Sequence, residues 1–449
     1  MIIFEIARNN LLASRRRTLF LGTALFGVTL LFVLLLSLTA GVTDNLIRGA
    51  TAVSSGHVNI AGYYKSSPTD SQALVTNVDT LKAEARQALP DAVVVIDRLR
   101  GWGKIIADRG SVQTGINGIA FDDEADLFSM LTLAPAKDYR ENPANPEETR
   151  GNFADLQKPN TILLFAGQAK LLKAEVGDSV TLRTETLKGA TNTADVTVVA
   201  IARDLGLLSG FASFVPKQAV IDLYQFKPGV SGVVQIYLKD IKRSTAAMNE
   251  LRAHLAKKGY AQLEHDAQPF FIKLLQTVPG EDWTGAKLDV TTWEDEGAFL
   301  VQIINGLKAV SLALVMLLAF VIVVGISNTM TIAVRERTRE IGTLRAIGMN
   351  RSSILMLFLL EAAILGIVAS GAGGLAGAGI AAAINAAAIR VDVDAMRIVL
   401  LSDTLHLVPR VVDVVIAVAV LTFVSAAAAF FPALRAARIT PVTAMQSAE

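Results

Sequence analysis

The chain has 449 residues, of which 52% are hydrophobic and 18% are charged, whereas about 25% of the residues of an ordinary soluble protein are charged. This composition indicates a membrane protein, and the formal net charge of +1 excludes the basic field typical of nucleic-acid-binding proteins. The sequence contains no cysteine, which excludes disulfide bonds, thiolate zinc sites and cysteine nucleophiles.

Four apolar segments of the sequence are long enough to cross a bilayer, which takes roughly 20 residues. A basic cluster, Arg15–Arg17, precedes the first segment as in a signal peptide. However, the apolar run is about 24 residues long, and a signal sequence has only roughly 7–15. We therefore expect an uncleaved anchor. The predicted transmembrane helices are 19–43, 299–334, 352–389 and 413–434.

Basic residues in the short flanking segments predict the orientation, because arginine and lysine accumulate on the cytoplasmic side. Arginines precede the first span, fill segment 335–351 and follow the fourth span, whereas loop 390–412 mixes arginine with aspartate. With four spans, the three arginine-rich places share the cytoplasmic side, and residues 44–298 are exported. The cytoplasmic parts would be 1–18, 335–351 and the tail 435–449.

Segment 1–18 begins with an apolar stretch, IIFEIARNNLL. Ile2, Ile3 and Ile6 share one helical face, which is typical of a helix that lies in the membrane interface. A cytoplasmic continuation of the first span explains the same pattern equally well, so the sequence leaves both alternatives open.

The exported segment is polar and rich in turns, with runs of valine, isoleucine, threonine and tyrosine that predict strands. Two β-α-β units frame it. They consist of strand 57–64, helix 80–89 and strand 92–100, and of strand 233–240, helix 244–259 and strand 261–266. Two such units form a ferredoxin-like pattern, and region 115–230 is predicted to be an inserted, mostly-β lobe. The predicted fold is an α-helical membrane protein with four transmembrane helices and a large α+β exported domain.

No catalytic or metal-binding motif emerges from the sequence. The histidines lack the spacing of a zinc site, and no G-x-S-x-G elbow is present. The stretch GWGK at 101–104 lacks the distant glycine of a P-loop. We therefore predict a chain that is not an enzyme and that binds no metal or other cofactor itself.

Segment 335–351 combines dense mixed charge with helical periodicity. Ile341, Leu344 and Ile347 recur at helical spacing, and charged residues occupy the other faces. The pattern predicts a short amphipathic helix bracketed by Gly342 and Gly348. Because so short a helix is unstable alone, we expect it to dock on a partner. The alternative is a solvated turn whose arginines only set the topology, but such a turn would not need the apolar stripe.

This segment resembles the signature of a known family. The stretch SNTMTIAVRERTREIGTLRAIGMNRSSI and the ending FPALRAARITPVTAMQ are similar to those of the FtsX/MacB-type (type VII) ABC transporter permeases, which include MacB and the lipoprotein-releasing LolC and LolE. The layout of one span, a large exported domain and three further spans is similar as well. The resemblance covers the whole chain, with the exported domain matching more loosely.

The resemblance implies a mechanical role. In this family the loop between spans two and three is a coupling helix that sits on a separate cytoplasmic ABC ATPase, present in two copies, which binds ATP and Mg. Besides the ATPase, the implied partners are a second permease of the same or a homologous chain, a periplasmic adaptor or acceptor protein, and membrane lipid, but no nucleic acid. The predicted coupling residues are Arg337, Arg339, Glu340, Ile341, Gly342, Leu344, Arg345 and Gly348.

The function implied by the resemblance is mechanotransmission in the inner membrane of a bacterium. ATP hydrolysis would move the periplasmic domain and thereby extract or export a lipoprotein, a lipid or another amphiphilic substrate. A transmembrane relay like FtsX, which activates a periplasmic cell-wall hydrolase, is the alternative, and a sensor or scaffold without an ATPase is a third. MacB carries its ATPase before span one on the same chain, whereas about 18 residues precede span one here, so we expect a separate ATPase.

The third span contains two further features. Gly366, Ser370, Gly373 and Gly377 place small residues at a spacing of four, which lets helix backbones approach closely. The alternative is a low-complexity span that faces lipid.

Glu361 is an acid roughly 15 Å into the third span, at about 1.5 Å per residue. An acid inside a membrane is a candidate functional group. It is either part of a proton relay or a hydrogen-bonded residue near the inner leaflet, and the sequence favours the second, because a single acid makes no relay.

Overall fold

A computed structural model describes residues 2–67, 70–186, 189–387, 389 and 405–440. Most of the predicted loop 390–412 and the end of the predicted tail, 441–449, lie outside the described residues. The described chain divides into a helical unit, which holds the residues before Asn45 and after Ile303, and a mixed unit, 45–303.

The helices fall into long apolar ones and short connecting ones. The α-helices are α1 Ile2–Ala13, α2 Arg15–Val53, α3 Val78–Ala88, α4 Ala125–Met130, α5 Ala136–Tyr139, α6 Ala166–Leu172, α7 Lys217–Tyr224, α8 Ser244–Lys257, α9 Phe270–Ile272, α10 Trp293–Glu296, α11 Ala298–Glu336, α12 Thr338–Ala346, α13 Arg351–Ala387 and α14 Val411–Ala437. Short 3-10 turns occupy Phe121–Asp123, Phe153–Gln157, Gly206–Phe211, Ile241–Arg243 and Val278–Gly280, and a π turn occupies Lys273–Thr277.

Four of these helices, α2, α11, α13 and α14, are long and apolar enough to cross a membrane. Each predicted span falls on one of them. The first two extend well past the predicted spans: α2 and α11 have 39 residues each, or about 58 Å at about 1.5 Å per residue, against a hydrocarbon core of about 30 Å. They therefore continue beyond the hydrocarbon, and each runs from one unit into the other.

The mixed unit contains ten strands among the described residues. They are β1 Val58–Ser67, β2 Asp70–Ala73, β3 Ala92–Ala107, β4 Gly110–Ile119, β5 Thr161–Phe165, β6 Ser179–Glu185, β7 Thr191–Ala202, β8 Ala212–Pro216, β9 Val233–Leu238 and β10 Gly285–Thr292. One end of the sheet has the antiparallel order β10-β1-β9-β3. With α3 and α8 as the crossover helices, this is the ferredoxin-like arrangement. The predicted fold class, four membrane helices with an α+β domain, is confirmed.

The fourth ferredoxin-like strand was predicted at 261–266, and that prediction is wrong. The strand is β10, and Gln262 forms only an isolated bridge to Leu288. Segment 261–266 lacks β-branched residues, whereas β10 ends in Asp-Val-Thr-Thr, which is the better strand signal. The sequence between them forms short turns, so the strand lies later in the chain than the usual spacing indicates.

The second half of β3 is the first strand of the inserted lobe, where it pairs with β4 and β6. The pairing runs β3-β4-β8-β5-β7-β6, and β6 pairs again with β3, so the strands close into a ring. The sequence predicts strands at 103–108, 161–167, 179–186 and 194–202 in this region, whereas β4 and β8 have no counterpart among the predicted strands. A glycine weakens the strand pattern in β4, but Gly115 is needed there, because a Cβ atom would lie 2.6 Å from the Phe211 carbonyl oxygen.

A buried aspartate connects the ferredoxin-like part to the inserted lobe. Asp97, in β3, receives the ammonium groups of Lys82 in α3, at 3.1 Å, and of Lys217 in α7. Burial alone would raise the pKa of the Asp97 carboxyl, but hydrogen bonds from Lys217 and Ser231 and the charges of both lysines hold that pKa below its ordinary value. The carboxylate form is thus the one that the fold stabilises.

We expect Asp97→Asn to lower the stability of the protein at neutral pH by about 1–3 kcal/mol, because it leaves the half-buried ammonium groups of Lys82 and Lys217 poorly paired. A lowered pKa in the fold means that this contribution is present above the unfolded-state pKa of about 4 and is lost as the pH falls through the folded-state value. Thermal unfolding of the full chain in detergent, from pH 7 down to pH 3 as roughly the range of that titration, measures it. The melting temperatures of the wild type and the variant should converge at the acidic end, and a constant gap would contradict the assignment.

Candidate coupling helix and its buried ionic cluster

Helix α12 fills the short connection between the two long helices α11 and α13. It ends in a Schellman motif: Gly348 has a φ of 100°, its N–H bonds the Arg345 carbonyl at 3.2 Å, and the Met349 N–H bonds the Leu344 carbonyl at 3.0 Å. A glycine tolerates this left-handed backbone best. The prediction that Gly342 brackets the helix is wrong, because Gly342 is a buried residue inside α12.

The two sides of α12 differ in character. Ile341 is 3% exposed and belongs to the buried apolar cluster of the helical unit, with Val334 and Ile354. The opposite side is exposed and consists of Arg339, Glu340, Thr343, Ala346 and Ile347. The predicted apolar stripe is therefore divided, since Ile341 packs inward and Ile347, 77% exposed, faces outward.

The predicted coupling residues thus occupy different positions on this helix. Arg339, Glu340 and Gly348 are exposed, Leu344 and Arg345 are half-buried, and Ile341 and Gly342 are buried. Arg337, the residue before α12, has a side chain that is only 15% exposed and points to an acid in α13. The outward side offers both charges and one large apolar side chain, which is a composition suited to a protein partner.

Glu361, the acid inside the third span, is 1% exposed, and one of its two carboxylate oxygens is hydrogen-bonded. Its Oε1 accepts hydrogen bonds from the Asn10 side-chain amide at 2.7 Å and from the Arg337 guanidinium at 3.3 Å. Its Oε2 lies 3.8 Å from the Arg17 guanidinium. Arg337 also donates to the Asn10 carbonyl oxygen at 3.3 Å. We call these four side chains, Asn10, Arg17, Arg337 and Glu361, the ionic cluster.

The ionic cluster gives Glu361 two hydrogen bonds and two nearby guanidinium groups, which offset part of the cost of burying its charge. The adjacent cavity, lined in part by Leu11, Thr18 and Met330, has a volume of about 10 Å³, which is about the space of one water molecule. Glu361 is thus a hydrogen-bonded residue, as in the second of the two alternatives. Asn10 and Arg17 were not predicted as partners of Glu361, because the first of them is 351 positions away in the sequence.

The small residues of α13 lie where helices meet. Gly366, Ser370, Gly373 and Gly377 are all buried. A Cβ atom on Gly373 would lie 2.4 Å from the carbonyl oxygen of Phe26 in α2, and one on Gly366 would lie 3.0 Å from the Cα of Thr422 in α14. Helix α13 therefore packs backbone to backbone against two other helices of the unit.

A second constellation, in the mixed unit, caps the end of α2. Helix ends leave carbonyl groups without partners in the helix. Here the Thr51 carbonyl accepts from the Tyr237 hydroxyl at 3.0 Å, and the Ala52 and Val53 carbonyls accept from the Arg98 guanidinium at 2.7 and 3.0 Å. No local sequence pattern reveals this cap, because its donors belong to strands that are distant from α2 in the sequence.

Two further side chains complete the cap on α2. The Ser54 carbonyl accepts from Arg100 at 2.9 Å and from Gln235 at 3.1 Å. Arg98 is 1% exposed and forms a two-bond ion pair with the Glu124 carboxylate, with the Nε–Oε1 bond at 2.6 Å. Four successive carbonyls at the end of α2 are thus held by the adjacent strands β3 and β9, and this end of α2 is fixed to the sheet.

Comparison with known proteins matches the helical unit most clearly. Residues 312–441 match the family model for the FtsX-like permease C-terminal domain. The macrolide export ATP-binding/permease protein MacB of Neisseria meningitidis serogroup A is 34% identical over 128 residues, which cover 27% of this chain and 17% of that protein. MacB of Bartonella quintana is 25% identical over 242 residues, covering 50% of this chain and 32% of that protein.

Solved structures of exported regions are also similar. The extracellular domain of the ABC-type transporter YknZ from Gram-positive bacteria aligns with 10% identity and a TM-score of 0.29, covering 51% of this chain and 98% of that one. The periplasmic region of MacB from Actinobacillus actinomycetemcomitans aligns with 13% identity and a TM-score of 0.30, covering 57% of this chain and 95% of that one.

Proposed function

We propose that this chain is a transmembrane subunit of an ABC transporter, a permease of the FtsX/MacB type to which its helical unit is similar, and that it converts ATP hydrolysis by a separate ATPase into movement of its mixed unit. The observation that carries this proposal is the geometry of α12. Only Arg337 separates it from α11, and a four-residue turn, 347–350, separates it from α13. A partner that binds the outward side of α12 therefore acts directly on two membrane helices.

The continuity of the long helices supports transmission of that movement. Helices α2 and α11 extend from the helical unit into the mixed unit without interruption. The cap formed by Arg98, Arg100, Gln235 and Tyr237 fixes the end of α2 to the sheet. Movement of the last turn of α2 would then be passed to the sheet.

The proposal includes the location and the partners. Arginines near α1, α12 and the end of α14 favour a cytoplasmic position for these segments, in the bacterial inner membrane, with the mixed unit on the periplasmic side. The partners would be two copies of an ABC ATPase, which bind ATP and Mg, a second permease and a periplasmic adaptor or acceptor.

The proposed substrate is a lipoprotein, a lipid or another amphiphile that is handled outside the membrane core. The mixed unit exposes large apolar side chains at Phe211, Phe271 and Leu275, which suit an apolar ligand. In the helical unit, the cavity beside Glu361 holds about 10 Å³, too little for such a molecule.

Affinity purification of the tagged full chain from its own membranes, in mild detergent, tests the proposal. We expect the eluate to hydrolyse ATP and mass spectrometry to identify a nucleotide-binding subunit. A complex without ATPase activity and without such a subunit would exclude ATP-driven transmission and favour a scaffold.

The outward side of α12 can be tested with a matched pair of double variants. We expect Glu340→Arg with Ile347→Glu to weaken retention of the ATPase by about tenfold or more, as expected for residues at the centre of an interface. The control, Glu5→Arg with Leu12→Glu, makes the same changes at exposed positions of α1 and should retain the ATPase. Equal retention by both variants would argue against α12 as the docking helix.

A further inference from the structure

The ionic cluster joins segments that the chain itself keeps far apart. Arg337 lies directly before α12 and reaches two acceptors at 3.3 Å each: Glu361 in α13 and the Asn10 carbonyl in α1. Asn10 in turn donates to Glu361 at 2.7 Å. The three residues form a closed triangle of hydrogen bonds across three helical segments, and Arg17 adds the start of α2 at 3.8 Å.

The burial of the ionic cluster makes this triangle difficult to break. Glu361 is 1% exposed, and the Arg17 and Arg337 side chains are 14% and 15% exposed. Separating Arg337 from Glu361 would leave a buried carboxylate with reduced pairing in a largely apolar surrounding, which is costly. When α12 moves, the low-energy response is for the paired groups to move together.

Helix α1 has no other described polar side-chain link to α13 than this one. Ala7 of α1 is 0% exposed, but its methyl group can form neither a hydrogen bond nor an ion pair with a neighbouring helix. The link through Asn10 and Arg337 also connects α1 to the residue that precedes α12, although 327 positions separate the two in the sequence. The cluster therefore supplies a route from α12 to α1 that the chain connection does not.

We propose that Glu361 is a positioning residue that makes α1 part of the coupling apparatus. A displacement of α12 passes through Arg337 to Glu361 and Asn10, and it moves α1 and the start of α2 with it. This inference rests on the proposed function, because the displacement originates in the ATPase. It assigns α1 an active part in transmission instead of a passive position in the membrane interface.

The first experiment tests the link without any ATPase. Because the chain has no cysteine, spin labels placed at Leu12→Cys in α1 and Thr343→Cys in α12, both exposed positions, report one distance in the full chain in lipid nanodiscs. We expect a narrow distribution in the otherwise unchanged chain and a broader one in Glu361→Gln and in Arg337→Met. The double variant should be no broader than either single variant, since each already breaks the same link.

Two further variants keep this experiment decisive. Glu5→Gln, which removes an exposed carboxylate of α1, should leave the distribution narrow. Asn10→Ala removes two hydrogen-bonding groups of the side chain but no charge, and it replaces Glu361→Gln if that variant does not assemble. A narrow distribution in both Glu361→Gln and Asn10→Ala would overturn the inference.

The second experiment uses the complex with the co-purified ATPase. Labels at Leu12→Cys and Val412→Cys, the latter exposed at the start of α14, should show a distance change when ATP and vanadate trap the ATPase. We expect Glu361→Gln to lose that change while it retains the ATPase. If Glu361→Gln retains both the ATPase and the distance change, the inference is wrong but the proposed function stands. If the unchanged chain retains no ATPase, the proposed function fails, and the first experiment still decides whether Glu361 links α1 to α12.

Discussion

Replacing Arg98 with methionine should destabilise the mixed unit by about 3–5 kcal/mol, the usual cost of removing one partner of a buried ion pair. The change leaves the Glu124 carboxylate buried, with its side chain 3% exposed, and removes the donors of the Ala52 and Val53 carbonyls. Methionine keeps most of the volume of arginine, so the effect reports the lost pairing rather than a cavity. Thermal unfolding of the full chain in detergent measures it, with limited proteolysis as a second readout.

The position of Arg98 predicts which part of the protein loosens. Because Arg98 caps α2 and also binds Glu124 at the entry to α4, both the end of α2 and the inserted lobe should become sensitive to protease. Arg109→Met is the matched control, since Arg109 is exposed in the turn between β3 and β4. Adding Glu124→Gln to Arg98→Met should recover part of the loss, because it removes the stranded charge. Equal stability of Arg98→Met and Arg109→Met would contradict the role of the cap.

Changing Gly373 to alanine should destabilise the helical unit by about 1–3 kcal/mol, as overpacking usually does. The added Cβ atom would lie 2.4 Å from the carbonyl oxygen and 3.0 Å from the Cα of Phe26. These are backbone atoms of another membrane helix, so α2 and α13 would have to separate. Thermal unfolding in detergent, monitored by the helical circular dichroism signal, measures the loss.

The same helix contains its own controls. A Cβ atom on Gly371 or Gly379 would meet no atom within 4 Å, so Gly371→Ala and Gly379→Ala should be neutral or stabilising, by up to about 1 kcal/mol from the better helix propensity of alanine. If all three alanine variants melt together, the close approach at Gly373 does not hold the helices. Gly373→Val should destabilise the helical unit more than Gly373→Ala does, because valine adds more volume at the same contact.

Much of the fold could be predicted from local sequence patterns. The membrane helices can be predicted from the length of the apolar runs, because a helix needs roughly 20 apolar residues to cross the hydrocarbon core of the bilayer. The ferredoxin-like order follows from two β-α-β units, in which α3 and α8 lie close to their predicted ranges. Two strand predictions failed. The fourth ferredoxin-like strand was predicted at 261–266, although it is β10. Strand β4 was not predicted, because its glycines weaken the strand pattern.

Only part of the candidate site could be predicted from the sequence. The helical pattern of residues 338–346 and the arginine-rich flanks are local, so they could be recognised. Which side of α12 faces outward depends on where the buried cluster around Ile341 lies. The periodicity of one short helix does not reveal this, because both sides carry apolar residues.

By itself, the sequence determined how many helices this protein can place in a membrane, the presence of a short charged helix between two of them, and the α+β character of the domain, since each depends on composition within a few turns or strands. The tertiary structure alone decided that Asn10 and Arg337 meet at Glu361, and that Arg98 closes the end of α2. Buried charges select their partners by position in space, and residues 24 to 351 positions apart leave no periodic pattern that would reveal the pairing.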